Sequence, residues 1–170
     1  NSFAGAVTVA NGVLRLTSSD ALSGAPSIAV NGIVYGGINS NRSAVLQLAG
    51  GITVTNALTI QGLGWNNDGA LRSLGAGNTY AGPITFLAGQ QSRIQSDAGV
   101  FTLSGPITNN AGGLISILGG AGDYLVSGVV TGAGALGKDG GGTATLTAAN
   151  QYTGGTYVYG GTLSLDFNAL

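Results

Sequence analysis

The residues able to do chemistry are few. Six aspartates (Asp20, Asp68, Asp97, Asp123, Asp139 and Asp166) and five basic residues (Arg15, Arg42, Arg72, Arg93 and Lys138) carry all the side-chain charge of a 170-residue chain. There is no glutamate, histidine, cysteine or methionine. Without cysteine or histidine there is no thiolate nucleophile, no disulfide and none of the usual structural zinc sites. What remains is carboxylate chemistry. Two aspartates on one groove would make the acid and base of a glycosidase. Asp97, four residues after Arg93, together with Asp123 and Asp139, would have to supply such a pair. Six scattered aspartates would also meet by chance, so a pair alone is weak ground for an enzyme, and no catalytic residue is assigned. Asn66-Asn67-Asp68-Gly69 offers oxygens to a calcium ion. A calcium loop gathers several carboxylates, whereas Asp68 is the one acid here, so the stretch reads as a tight turn. Asp139-Gly140 reads as a corner in the same way. No metal and no cofactor is expected.

Lys138 reads as a solvated turn residue rather than a binding group. Tyr80, Tyr124, Tyr152, Tyr157 and Tyr159 would form an exposed strip for sugars or surfaces, or aromatic ladders within stacked strands; the second reading is preferred. Trp65 falls beside a predicted loop, as a lid on the core or an exposed anchor.

Composition narrows the class. Apolar residues make up 44% of the chain and charged residues 6%, the reverse of the low hydrophobicity and high charge of disordered chains. A net charge of −1 with dispersed cations lacks the clustered positive charge that nucleic acid binding needs. No apolar run approaches the roughly 20 residues of a membrane-spanning helix, and 33 glycines without a strict three-residue period exclude collagen. Patterned sequence begins at Asn1, as expected of a mature protein or of a piece of a longer one.

The elements that must position these residues are strands. Gly, Thr, Ser, Asn and Val are mediocre or poor helix formers. Apolar residues instead alternate with period two: Val7 and Val9, Leu14 and Leu16, Ile28 and Val30, Leu46 and Leu48, Ile52 and Val54, Leu58 and Ile60, Ile84 and Phe86, Ile115 and Ile117, Leu163 and Leu165. Alternation turns one side of each strand inward. The strands are short and separated by Gly, Asn, Asp and Ser, which suit tight turns.

Repetition selects the architecture. Residues 1–22 lie over 150–170: Asn1 matches Asn150, Phe3 Tyr152, Gly5 Gly154, Val9 Val158, Gly12 Gly161, Leu14 Leu163 and Leu16 Leu165, an offset of 149 residues. Within that long period, Ala-Gly-Pro-Ile-Thr (81–85) and Ser-Gly-Pro-Ile-Thr (104–108) are near copies, and 78–86 echoes 150–158. Echoes at roughly 20–25 residues have the length of one solenoid coil. Coils stacked in parallel would column Val, Ile and Leu inward and disfavour stacked like charges. About seven coils at ~4.8 Å each predict a rod near 35 Å long. The expected fold is therefore all-β, a parallel β-helix (β-solenoid) formed by residues 1–170 as a single domain.

Residues 132–165 resemble the autotransporter-associated β-strand repeat of bacterial passenger-type proteins. Gly132, Gly134, Leu136, Lys138, Gly140, Gly142, Thr143 and Leu146 match its pattern, as do Asn150, Tyr152, Gly154, Gly155, Thr156, Gly161, Thr162 and Leu163. Ala144, where the pattern has Leu, is a departure that softens one core contact. Residues 57–86 and 93–108 share its character. The resemblance implies a right-handed β-helix, an extracellular place on the bacterial outer surface, and a structural or adhesive role. It also leaves little weight for the glycosylation sequon at Asn41-Arg42-Ser43. With no obvious cap in the sequence, the open strand edges must be continued. The expected partners are therefore copies of the chain or adjacent repeats, head to tail, and after them surface glycans on a lateral face; no nucleic acid partner and no membrane insertion are expected.

Overall fold

The computed structural model describes residues 4–31 and 44–166. Arg42 and the sequon around it lie outside the described residues, as do Asn1 and Phe3. Every strand pair among the described residues is parallel. The strands form three sheets. Sheet A stacks Val7–Val9, Ser27–Asn31, Ala57–Gln61, Ile84–Phe86, Ile107–Asn109 and Val130–Thr131. Sheet B stacks Val13–Leu16, Val45–Leu48, Leu71–Ser73, Ser92–Ser96, Ile115–Gly120, Ala135–Lys138 and Thr156–Val158. Sheet C stacks Thr53–Val54, Thr79–Tyr80, Val100–Leu103, Asp123–Val126, Thr143–Leu146 and Thr162–Leu165. Strand follows strand in the order A, B, C, one level per circuit, except that among the described residues no sheet C strand follows Val13–Leu16 and no sheet A strand precedes Thr156–Val158. This is a β-solenoid of about six turns, with a seventh strand on sheet B.

Short strands suffice because each pairs above and below with another coil. The inward positions stack into columns. On sheet A, Ile28, Leu58, Ile84, Ile107 and Val130 lie in register. On sheet B the column runs Leu14, Leu46, Leu71, Ile94 and Leu118. Sheet C contributes Phe101, Tyr124 and Ala144 in one column. Ala144 is fully buried beside the Tyr124 ring, so the small residue at the leucine position sits next to the largest one. These side chains join one continuous apolar core; full burial of each Leu or Ile is worth about 1.5–3 kcal/mol.

Two kinds of corner turn the chain. Gly82, Gly105 and Gly128 stack where sheet C passes to sheet A, and a Cβ on any of them would overlap a carbonyl oxygen of the coil beneath. The near copies at 81–85 and 104–108 record this approach, with Ile84 paired to Ile107 one level up. Where sheet B passes to sheet C, buried Asn78 replaces backbone partners. Its Oδ1 accepts from the Gly51 and Ile52 N–H groups, both at 3.1 Å, and its Nδ2 donates to Leu48 O, Ser73 Oγ and Gly75 O. Asn109 plays a similar part, accepting from Ser116 Oγ at 2.9 Å and donating to Ala135 O at 3.0 Å.

One expected strand has the opposite phase. Ile115 and Ile117 face outward, and Ser116 and Leu118 are the buried pair. The run from Leu114 to Leu118 carries Ile115 and Ile117 in one phase and Leu114, Ser116 and Leu118 in the other, so both phases offer apolar side chains. The register with Ile94 and the buried Ser116–Asn109 bond select the phase.

Candidate functional site

Three arginines that are distant in sequence share one face. Arg15, Arg72 and Arg93 all lie on sheet B, and Arg15, Gln47, Arg72 and Gln95 follow one another at successive levels of a single outward column. Arg15 Nε donates to Gln47 Oε1 at 2.9 Å, and Arg93 Nε to Gln95 Oε1 at 2.9 Å. Arg72 holds two carboxylates: its Nε reaches Asp97 and its Nη1 reaches Asp68, each at 3.0 Å. Arg93 forms a two-pronged pair with Asp139, at 2.7 and 2.8 Å. Asp97 thus pairs with Arg72 rather than with Arg93, its neighbour in sequence. Asp123 accepts the Thr143 N–H at 2.7 Å.

Asp68 and Asp97 are brought together by one guanidinium. Because both bond one guanidinium, they lie within roughly 8 Å of each other, inside the range of glycosidase pairs. Arg72 bonds both, so the two carboxylates share a single positive charge. Among the described residues no three acids gather as a metal site. The Asn66-Asn67-Asp68-Gly69 stretch is a turn, with Asn66, Asn67 and Gly69 at φ 51°, 65° and 94°. The Asp68 N–H closes it on Trp65 O at 2.8 Å, and the Gly69 N–H on Leu63 O at 2.7 Å. Trp65 rides on this turn and is exposed.

Lys138 is not a solvated turn residue. It is 1% exposed and occupies an inward position of sheet B, above Leu118 and below Val158. Its ammonium donates to the Asp139 carbonyl at the sheet B–sheet C corner. Burial lowers its pKa, the Arg93 charge adds to this, and Asp139 and Asp123 oppose it. Lys138 follows Leu136 by two residues, so the strand period was the available signal for its inward position; its charge spoke for a turn.

The tyrosines divide. Tyr80 and Tyr124 are buried. The Tyr80 hydroxyl donates to Asn56 O at 3.0 Å, and the Tyr124 hydroxyl lies 2.9 Å from Ile94 O and 2.6 Å from Gly119 O. Burial pushes both pKa values well above the usual phenol range. Tyr152 is half-buried, with its hydroxyl 2.7 Å from Thr156 Oγ1. Tyr157 and Tyr159 are exposed and stack with parallel rings 6.0 Å apart.

That pair belongs to the upper edge of the solenoid, the side toward which the chain climbs. Thr156–Val158 pairs with Ala135–Lys138 beneath it, and Thr162–Leu165 with Thr143–Leu146. No described strand lies above either. Val158 and Leu165 are 55% and 54% exposed there. An uncovered edge with apolar inward positions is a template for another strand.

The family model of the passenger-associated-transport-repeat matches residues 1–16 and 136–165. No curated protein and no solved structure matches the chain. The repeat match and the three-sheet solenoid together fit an autotransporter passenger β-helix repeat.

Proposed function

We propose that this passenger-type solenoid is a structural module of a bacterial cell-surface or extracellular protein, a rod segment continued end to end by further repeats or by copies of itself. The carrying observation is the upper edge, where Val158 and Leu165 stand exposed above a continuous core. Burying such an edge under another coil is favourable through both apolar contact and strand pairing. A rod built by head-to-tail contacts does not close on itself and so extends. The family match supports export to the cell surface, and the right-handed winding comes from the same resemblance. A non-catalytic role agrees with Asp68, Asp97 and Asp139 paired to Arg72 or Arg93 and with Asp123 accepting a backbone N–H. Immunogold labelling of intact bacteria with an antibody to this chain tests the reading. Label along thin surface projections or shed fibres is expected; label confined to the cell interior contradicts it.

A second reading rests on exposed Trp65, held on the same closed turn as Asp68, which pairs with Arg72. Aromatic faces flanked by charged planar groups suit sugar rings, which would make this lateral corner a glycan contact of an adhesin. A glycan array that gives the same binding to the native chain and to Trp65→Ala, or none to either, removes it.

A further inference from the structure

The two matched ends of the sequence sit on different faces of the molecule. Val7–Val9 lies on sheet A and Val13–Leu16 on sheet B, whereas their counterparts Thr156–Val158 and Thr162–Leu165 lie on sheets B and C. The 149-residue offset therefore spans six turns plus one further sheet, not a whole number of turns. The segment 78–86 brackets where the shift arises. Its Asn78, Tyr80 and Gly82 align with Asn1, Phe3 and Gly5, and its strand Ile84–Phe86 lies on sheet A like Val7–Val9. The extra third of a turn thus accumulates after residue 86.

The lower copy shows what belongs on the upper one. Ser27–Asn31 covers Val7–Val9, with Thr8 opposite Ala29 and Val9 opposite Val30; Val45–Leu48 covers Val13–Leu16. Under those strands Val9 and Leu16 are 7% and 3% exposed, against 55% and 54% for Val158 and Leu165. We infer that the upper edge is the seat for a second copy of this repeat, whose strands Ser27–Asn31 and Val45–Leu48 lie over Thr156–Val158 and Thr162–Leu165, and that the second copy is turned by one sheet about the solenoid axis. The inference rests on the end-to-end reading above and adds the identity and orientation of the occupant. Each added repeat would carry the charged face of Arg72, Asp97, Arg93 and Asp139 to the next sheet. Three repeats, about 19 levels or roughly 90 Å at ~4.8 Å per level, would bring it back.

The chain has no cysteine, so introduced thiols report proximity without background. The test is a two-repeat protein in which residues 17–170 are repeated after Leu165. One version carries Tyr157→Cys with Ala29→Cys in the appended copy, and another carries Gln151→Cys with the same partner. Gln151 marks sheet A at the top level, since its N–H donates to Val130 O at 2.8 Å. A short thiol cross-linker is expected to join the Tyr157→Cys pair at least tenfold more than the Gln151→Cys pair. Amide exchange of residues 156–165 is expected to slow at least tenfold relative to the single repeat. Preferential linking of the Gln151→Cys pair, in a particle that has lengthened as a rod, overturns the rotation and leaves end-to-end continuation standing. An appended copy that links neither pair and leaves exchange at 156–165 unchanged overturns the seat itself.

Discussion

At the scale of single residues, the informative groups are polar ones inside the solenoid. Lys138 is a cation in an inward column, and burial lowers its pKa below the ordinary 10.5. Between the lowered folded value and 10.5 the unfolded chain binds more protons than the folded one, so stability rises with pH across that window. Tyr80 and Tyr124 act the other way. Their pKa values are raised by burial from 10.0, so above pH 10 the unfolded chain loses protons that the folded one keeps, and stability falls. Urea unfolding from pH 7 to pH 11 is expected to show the rise and then the fall, with the rise absent in Lys138→Met. On the outer face, Arg72→Ala leaves Asp68 and Asp97 without their shared cation. A loss of about 1 kcal/mol is expected at low salt, shrinking in high salt because the pairs are partly exposed. Asp68 lies four residues from Arg72, but the Asp97 partner was not legible from spacing. Asp97 follows Arg93 by four residues yet bonds Arg72, because neighbours in a solenoid lie one coil apart rather than one helical turn apart.

Strands and corners were more legible. Alternating Val, Ile and Leu marked the inward columns, and Gly, Asn and Ser marked the turns. The near copies at 81–85 and 104–108 are one level apart, as their spacing required. Phase was lost at Ile115 and Ile117, where the opposite face carries Leu114, Leu118 and a serine, Ser116, that is buried by bonding Asn109. The glycine column allows a direct test. Gly105→Ala would place a methyl onto the Gly82 carbonyl, whereas nothing lies within 4 Å of the same change at Gly75, which has no positive φ. Expected losses are about 2 kcal/mol or more for Gly105→Ala and within about 0.5 kcal/mol for Gly75→Ala, read by chemical denaturation. In the stacked core, Leu71→Ala removes a fully buried side chain between Leu46 and Ile94. It is expected to lower stability by about 2–5 kcal/mol.

For the whole molecule, the replay of 1–22 at 150–170 pointed to a long period, and the coil length followed from the shorter echoes. Sequence did not disclose how many sheets each coil has. The offset of one sheet between the matched ends depends on that number, so it emerged only with the strand pairing. The central claim is that this solenoid is a segment of a longer rod. Cryo-electron microscopy of the native surface material tests it most directly. The account predicts unbranched rods one solenoid wide, with an axial spacing of ~4.8 Å running without a break past the level of residues 156–165. Discrete particles about six turns long, with a different structure closing the edge at Val158 and Leu165, would contradict it.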